Sequence, residues 1–309
     1  MSKKTIYLLG ILLTIIVGTF LYYKLCCNCK NNGKKKEKVD NKLVIPKSKD
    51  AILAPFGIKE VNDNLLVKME EQFNFGKSNF ILSDSLSKDV NDGVLKIKEY
   101  LDENGKKRFN IIGYYSSDEI NDSGYPNLGL ARASAVKSYM VKKGISPKLI
   151  DTFGELNDKL SAGANDIIYK SIDFNLVDKD DDTAKKELEA LMEACNALKQ
   201  DPLVLYFQTG QASINLTKEQ REKFSKITNC IDKLGAKIEV VGHTDNTGDP
   251  QKNIELGQGR ADFAKGYLMR NGILSSDIST SSKGPNEPIG DNNTPEGRAK
   301  NRRTVVKIN

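Results

Sequence analysis

The sequence predicts an α/β protein, an α+β sandwich of two tandem βαβαβ-type domains behind one N-terminal transmembrane helix. Three observations predict this class. Strand-like apolar runs alternate with amphipathic helices over residues 201–309. The same order recurs in divergent form over residues 51–178. A long stretch without charge lies close to the N-terminus.

The second domain contains clear helix and strand signals. Its strands are predicted at LVLYF, KIEVVG and RRTVVKI. The helix TKEQREKFSKITNCIDKL begins with a capping box formed by Thr217 and Gln220. The next helix, IELGQGRADFAKGYLMRNG, is expected to end at Gly272, since glycine commonly terminates helices. Helices alternating with strands in this order predict a compact sandwich.

The first domain is a divergent copy of the second. LGLARASAVKSYMVKKGI (residues 128–145) and LGQGRADFAKGYLMRNGI (256–273) share eight of eighteen residues. Upstream, FNFGKSNFILS parallels FQTGQASINLT, and NIIGYY parallels EVVGHT. The divergence falls on polar positions. Fifteen residues before Arg132 stands Ser117 rather than an aspartate, although Asp118 is adjacent, and the first copy has no counterpart of the GRAKNRR segment.

Residues 5–23 (TIYLLGILLTIIVGTFLYY) contain no charged side chain. As a helix this stretch would be about 28 Å long, enough to cross a hydrocarbon core of about 30 Å. No small-residue cleavage site follows it, and the residues before Cys26 are too bulky for lipoprotein processing. We predict an uncleaved signal anchor that attaches the protein to a membrane, with a cleaved signal as the alternative.

The charge distribution argues against nucleic acid as a partner. The net charge is +6, but residues 24–50 hold nine lysines against three acidic residues. The remaining chain from residue 51 is slightly acidic, so a nucleic-acid-binding face is not expected. The basic segment is interpreted as a solvated stalk near lipid headgroups.

The residue types also argue against an enzyme. The chain has one histidine, and no nucleophile–base pair or metal-ligand cluster is evident apart from CCNC after the predicted anchor. We therefore expect no catalytic residues, no cofactor and no metal. Cys26, Cys27 and Cys29 could bind a metal, link two chains into a homodimer, or remain unpaired. Cys195 and Cys230 could form a disulfide in an oxidising compartment, but their pairing cannot be deduced from sequence.

The domain boundaries follow from changes in composition. The stretch VDKDDDTAKK interrupts the apolar pattern, and KKELEALMEACNAL then predicts an amphipathic connecting helix. The predicted segments are an N-terminal region (1–4), the anchor (5–23), the stalk (24–50), the divergent domain (51–178), a linker helix (179–200) and the second domain (201–309).

The candidate binding residues lie between a strand and the helix that follows it. Asp245 follows the end of the strand KIEVVG, and Arg260 lies in the next helix, fifteen residues later. A carboxylate and a guanidinium placed together could bind the two charges of a zwitterion. Alternatively, the two side chains could pair with each other and brace the loop.

Other polar residues near this segment have simpler explanations. His243 is expected to close the strand end, while Thr247 and Asn253 suit loop or helix-capping positions. Arg302 and Arg303 could serve a ligand or only pair with acidic loops of the same domain.

The motifs VVGHTDNTG, LGQGRAD and TPEGRAKNRRTV, in this order, resemble the OmpA C-terminal-like family, which includes peptidoglycan-associated lipoprotein. The resemblance covers residues 201–309. It implies non-covalent binding of peptidoglycan through the diaminopimelate residue of its stem peptide. By motif, Asp245 would hold the diaminopimelate ammonium and Arg260 its carboxylate. The supporting residues implied are Asn253, Leu256, Arg302 and Arg303.

The resemblance also implies a place in the cell. The ligand exists only in the periplasm, so we expect a membrane-anchored protein with a periplasmic ectodomain, the inner membrane being favoured over the outer. The lysines after the anchor would by themselves retain the domain inside the cell. A flagellar-type stator subunit is disfavoured because residues 5–23 contain no acidic side chain. The main alternative is an envelope module that docks a protein rather than peptidoglycan.

Overall fold

The computed structural model describes residues 56–59, 65–83, 86–208 and 215–309. The predicted N-terminal region, anchor and stalk of residues 1–50 lie outside this set, as do the three cysteines of CCNC. Among the described helices, none combines the length and the apolar character that a membrane crossing requires.

The elements of the first copy are β1 (Phe56–Lys59), β2 (Leu65–Met69), β3 (Phe75–Gly76), α1 (Lys88–Glu103), β4 (Lys107–Tyr115), α2 (Leu128–Lys142), β5 (Ile150–Leu156), β6 (Ile167–Ile168) and β7 (Ile172–Asp178). Its main sheet has three strands in the order β5-β4-β7. β4 pairs with β5 in parallel and with β7 in antiparallel orientation. Two small sheets accompany it, β1 with β2 and β3 with β6.

The linker helix and the second copy comprise α3 (Asp181–Gln200), β8 (Leu203–Tyr206), α4 (Lys218–Leu234), β9 (Ile238–His243), α5 (Pro250–Arg270), β10 (Ile278–Gly284), α6 (Pro295–Asn301) and β11 (Arg303–Ile308). The second copy has a four-stranded sheet in the order β10-β9-β11-β8. β9 pairs in parallel with β10 and in antiparallel orientation with β11, as β4 does with its two neighbours. This common arrangement confirms the repeat.

The predicted helix signals of the second copy are confirmed. Thr217 and Gln220 form a reciprocal capping box at the start of α4. Gly272, just after α5, has a φ of +98°, a conformation that favours glycine. β10 was not predicted, because ISTSSKG carries only one large apolar residue. As an edge strand, β10 needs less apolar character than a central strand.

The linker helix α3 packs against α4 and β11 of the second copy. Only its C-terminal half is buried there, through Cys195 and Leu198. Leu188 and Met192, which share the predicted apolar stripe, remain 45% and 51% exposed. The C-terminal half of α3 therefore packs on the second copy, whereas Leu188 and Met192 leave an apolar face exposed to solvent.

Cys195 and Cys230 form a disulfide that joins α3 to α4. The pairing that the sequence left open is thus settled by the proximity of the two buried side chains, whose Cα atoms are 6.0 Å apart. The bridge secures the linker helix to the second copy.

The two copies pack directly on each other within the compact unit Ser48–Asn309. The ring of Tyr125 stands edge-on to Phe224, with centroids 5.0 Å apart. The Tyr125 hydroxyl donates to the carbonyl of Asn271, and the amide of Gly124 donates to the Asn271 side chain. Because Leu128 of the first copy also joins the apolar core of the second, the copies share part of one core.

We expect the disulfide to contribute about 3–4 kcal/mol to the free energy of unfolding, from the entropy model for its separation of 35 residues. The test is urea unfolding of residues 48–309, which contain only these two cysteines. Reduction should destabilise the wild-type protein and leave a Cys195→Ala, Cys230→Ala double variant unchanged. Equal stability of oxidised and reduced wild type would contradict the assignment.

Candidate functional site

A glycine pair brings the backbone of helix α5 against strand β9. A Cβ atom on Gly242 would lie 1.9 Å from the carbonyl oxygen of Gly257, which no side chain could tolerate. The first copy repeats this contact with Gly113 and Gly129, at the same 1.9 Å. The close approach holds the following helical turn, and with it Arg260, beside the carboxyl end of β9.

Arg260 is buried at this strand end, with 7% of its surface exposed. Its Nη1 donates to the carbonyl oxygen of His243 at 3.3 Å, and its guanidinium lies 5.8 Å from the ring centroid of Phe207. Burial lowers the pKa of Arg260, and the nearby positive charge of Arg302 lowers it further. Within the described residues no carboxylate forms an ion pair with Arg260.

Asp245 lies two residues beyond the end of β9. Its Oδ2 accepts a hydrogen bond from Arg302 Nη1 at 2.8 Å, and its Oδ1 accepts one from the amide of Thr247 at 3.0 Å. Partial burial raises the pKa of Asp245, but these hydrogen bonds outweigh it and hold the pKa below its usual range. Asp245 is therefore an ionised carboxylate at neutral pH.

The ion pair of Asp245 differs from the one considered in the sequence. The internal brace expected as an alternative was Asp245 with Arg260, yet the carboxylate pairs with Arg302, 57 residues further on. Asp245 and Arg260 remain close enough for their charges to influence each other. The structure thus gathers one anion and two cations at the strand end, with Arg260 left unpaired among the described residues.

Asn253 and Leu256 lie on the first turns of α5. Asn253 is buried, and its Nδ2 donates to the carbonyl of Thr247 at 3.0 Å, which holds the loop that carries Asp245. The helix cap is Asp249, which accepts from the amide of Lys252, so neither Asn253 nor Thr247 caps the helix, whereas Thr247 lies in the loop as expected. Leu256 is 49% exposed and offers an apolar surface to solvent.

Arg303 makes different contacts from its neighbour Arg302. Arg302 is the residue that follows α6, whereas Arg303 is the first residue of β11 and donates to the carbonyl of Glu287 at 3.1 Å rather than to Asp245. It lies near His243, the last residue of β9. Burial lowers the pKa of His243 to about 4, and the charge of Arg303 acts in the same direction, so the imidazole is neutral at neutral pH.

The first copy places Arg132 at the position of Arg260 but neutralises it internally. Nη1 and Nη2 of Arg132 both donate to the carboxylate of Glu119, and both side chains are fully buried. The same guanidinium also donates to the carbonyls of Gly76, Asn79 and Tyr114. Each guanidinium nitrogen of Arg132 therefore already donates a hydrogen bond within the protein.

Counting fifteen residues back from Arg132 led to Ser117, and this correspondence is wrong by one residue. Gly113 precedes Gly129 by sixteen residues, whereas Gly242 precedes Gly257 by fifteen, so the first copy's loop is one residue longer. The strand register places Ser116 at the Asp245 position.

Sequence reasoning also missed Glu119, the carboxylate that pairs with Arg132. It follows the Asp245-equivalent position by three residues, and its Oε2 accepts from the amide of Ser116 at 3.0 Å. The neighbouring Asp118, which the sequence suggested as the shifted acid, instead pairs with Lys77 at 2.6 Å. Anchoring the comparison on the strand glycines would have revealed the longer loop.

At the position of Glu119, three residues after Asp245, the second copy has Gly248 rather than an acid. The residues that correspond to Gly76 and Asn79 are Gly210 and Ser213, which lie outside the described residues. Residues 209–214 contain no aspartate or glutamate in any case. An acidic partner for Arg260 therefore cannot come from this loop.

Two segments, residues 72–168 and 206–302, match the model of the OmpA family. The peptidoglycan-binding protein ArfA of Mycobacterium tuberculosis is 36% identical over 120 residues, which cover 38% of this chain and 36% of ArfA. The peptidoglycan-associated lipoprotein of Buchnera aphidicola is 41% identical over 107 residues, covering 33% of this chain and 58% of the relative. A crystal structure of the peptidoglycan-associated lipoprotein from Burkholderia pseudomallei aligns with a TM-score of 0.33 at 20% identity, covering 38% of this chain and 99% of that one.

The matches with the two curated relatives span 36% and 58% of their own lengths, so the similarity concerns domains and not whole proteins. One matched segment lies within each structural copy, and together they make up more than half of the sequence. The chain belongs to the OmpA family.

Proposed function

We propose that the second copy binds peptidoglycan non-covalently through the diaminopimelate residue of the stem peptide. The observation that carries this proposal is Arg260, a buried guanidinium without an acidic partner among the described residues, beside the ionised carboxylate of Asp245. Two relatives with a similar domain are named for peptidoglycan, the binding protein ArfA and the peptidoglycan-associated lipoprotein.

The zwitterionic end of diaminopimelate carries an ammonium and a carboxylate on one carbon. Arg260 can donate two parallel hydrogen bonds to that carboxylate, the strongest arrangement available to a guanidinium. Asp245 can accept from the ammonium, because a carboxylate offers about four lone-pair sites and two are used by Arg302 and Thr247. The two side chains would then act as the two ends of one clamp.

The surrounding residues would position this clamp. Arg302 holds the Asp245 carboxylate in place, and its positive charge also favours a ligand carboxylate nearby. Asn253 fixes the loop through Thr247, and the exposed Leu256 offers contact to the aliphatic part of the ligand. Arg303 would support the site indirectly, through the loop of Glu287.

The first copy would not bind this ligand, because Glu119 already occupies the guanidinium that a ligand carboxylate would need. This closed pair favours the alternative function for the first copy alone, a structural or protein-docking module of the envelope. The tandem would then combine one copy that binds the wall with one that supports it.

We further propose that residues 5–23 anchor the chain, with the ectodomain in the periplasm and the inner membrane favoured over the outer, so that the protein tethers a membrane to the cell wall. Two observations support an envelope location. The relatives include envelope lipoproteins. The disulfide between Cys195 and Cys230 is of the kind that persists in oxidising compartments.

Asp245→Asn and Arg260→Ala should each weaken binding to purified sacculi by more than about tenfold, since one end of the clamp would be lost. The measurement is co-sedimentation of residues 48–309 with sacculi, paired with thermal unfolding of every variant. The matched controls are Glu255→Gln, which removes one negative charge, and Arg270→Ala, which removes one positive charge. Both residues are exposed on α5, and both variants should bind sacculi normally. A lower melting temperature with unchanged binding per folded molecule would show that Asp245 and Arg260 only brace the loop.

Glu119→Gln should destabilise the protein by about 3–5 kcal/mol, because it leaves the buried Arg132 charge without its counter-ion. Binding of the folded variant to sacculi should remain at the wild-type level. Asp118→Asn removes an acid from a solvent-exposed pair one residue away and should leave stability nearly unchanged. Loss of sacculus binding in Glu119→Gln, at temperatures where it is folded, would mean that the first copy takes part in binding.

Alkaline phosphatase fused after Lys49 should be active, since this enzyme requires the oxidising periplasm to fold. Deletion of residues 5–23 from the same fusion should abolish the activity. An inactive fusion at normal expression level would place the ectodomain on the cytoplasmic side.

A further inference from the structure

A cavity of about 440 Å³ lies away from the proposed peptidoglycan site, where three parts of the fold meet. One wall is β5, an edge strand of the first copy's main sheet. The N-terminal half of α3 forms the second wall, and the last turns of α4 in the second copy form the third. Its volume is within the range of small-molecule sites, roughly 300–1,000 Å³.

The lining of this cavity has a surplus of positive charge. Only two of its residues are acidic, Asp151 and Glu187. The basic residues that line it are Arg108, Lys137, Lys148, Lys179 and Lys233. Asp232, outside the lining, pairs with Lys137 at 2.8 Å, which still leaves more cations than carboxylates. Among the described residues, no carboxylate pairs with Arg108 or Lys148.

Lys233 lies at the centre of this surplus. Its Nζ contacts the Asp151 carboxylate at 2.8 Å and donates to the carbonyls of Ile150 and Lys148. Burial, followed by the nearby charge of Lys137, nevertheless lowers the pKa of Lys233 to about 8. The five basic residues of the lining outnumber the three carboxylates near them, Asp151, Glu187 and Asp232, so an added anion would be stabilised.

The same cavity has an apolar side. Phe153 of β5 and Leu188 of α3 both line it, and they are 46% and 45% exposed. Leu191, one turn further along α3, also contributes. Large apolar side chains left exposed beside a cluster of cations suit a ligand that has an anionic head and an apolar body.

We propose that this cavity binds a small, monomeric amphiphilic anion, with an oxyanion head among the lysines and an apolar body against Phe153 and Leu188. The surplus of lysine and arginine side chains would bind the anionic head, and the exposed apolar side chains would contact the apolar body of the ligand. The ligand would contact both copies and the linker helix at once, so its binding would stabilise their packing.

The test uses residues 48–309 and decanoate, below the concentration at which it self-associates. We expect one decanoate per chain by isothermal titration calorimetry, and a melting temperature that rises with ligand concentration. Decanol has the apolar body without the anionic head, and inorganic phosphate has an oxyanion without an apolar body. Each should bind at least about tenfold more weakly than decanoate.

Lys148→Glu and Phe153→Glu change exposed residues of the cavity and should each weaken decanoate binding by about tenfold or more. Lys159→Glu and Leu156→Glu make the same changes at exposed residues outside its lining and should have no effect. Equal binding of decanol or phosphate, or equal losses in the control variants, would overturn the proposal. Binding only to phosphatidylglycerol vesicles would also overturn it, because a membrane surface would then be the partner.

Discussion

The architecture of both copies depends on a direct backbone contact between a strand and the helix that follows it. Gly242 meets Gly257 in one copy and Gly113 meets Gly129 in the other, at distances that leave no room for a Cβ atom. This contact fixes the register between strand and helix. The arginine one helical turn later is thereby placed beside the carboxyl end of the strand, where its guanidinium is removed from bulk water.

A buried guanidinium needs a counter-charge, and the two copies differ in whether they provide one. In the first copy the loop after β4 is one residue longer, and both carboxylate oxygens of Glu119 accept hydrogen bonds from Arg132. In the second copy, Asp245 is held by Arg302, and Arg260 is left without an acid among the described residues. The same scaffold thus produces a closed internal ion pair in one case and a site suited to an external carboxylate in the other.

The copies are joined more closely than a linker would require. Tyr125 packs on Phe224 and hydrogen-bonds to Asn271, and the disulfide ties α3 to α4. Residues 201–309 alone would lack Cys195 and Leu128, which contribute to the second copy's core. Binding studies therefore require the whole compact unit. The same packing creates the cationic cavity at the junction, which neither copy could form by itself.

Sequence patterns alone predicted the repeat, the helix with its Thr217 capping box, the linker helix, and the position of Asp245 and Arg260 around one strand end. These follow from local periodicity, capping chemistry and motif spacing, which act over a few residues. The pairing of Asp245 with Arg302, and that of Glu119 with Arg132 in the first copy, emerged from the folded arrangement. Those choices depend on distances between side chains that are far apart along the chain, or on a single loop residue, and local patterns do not encode either.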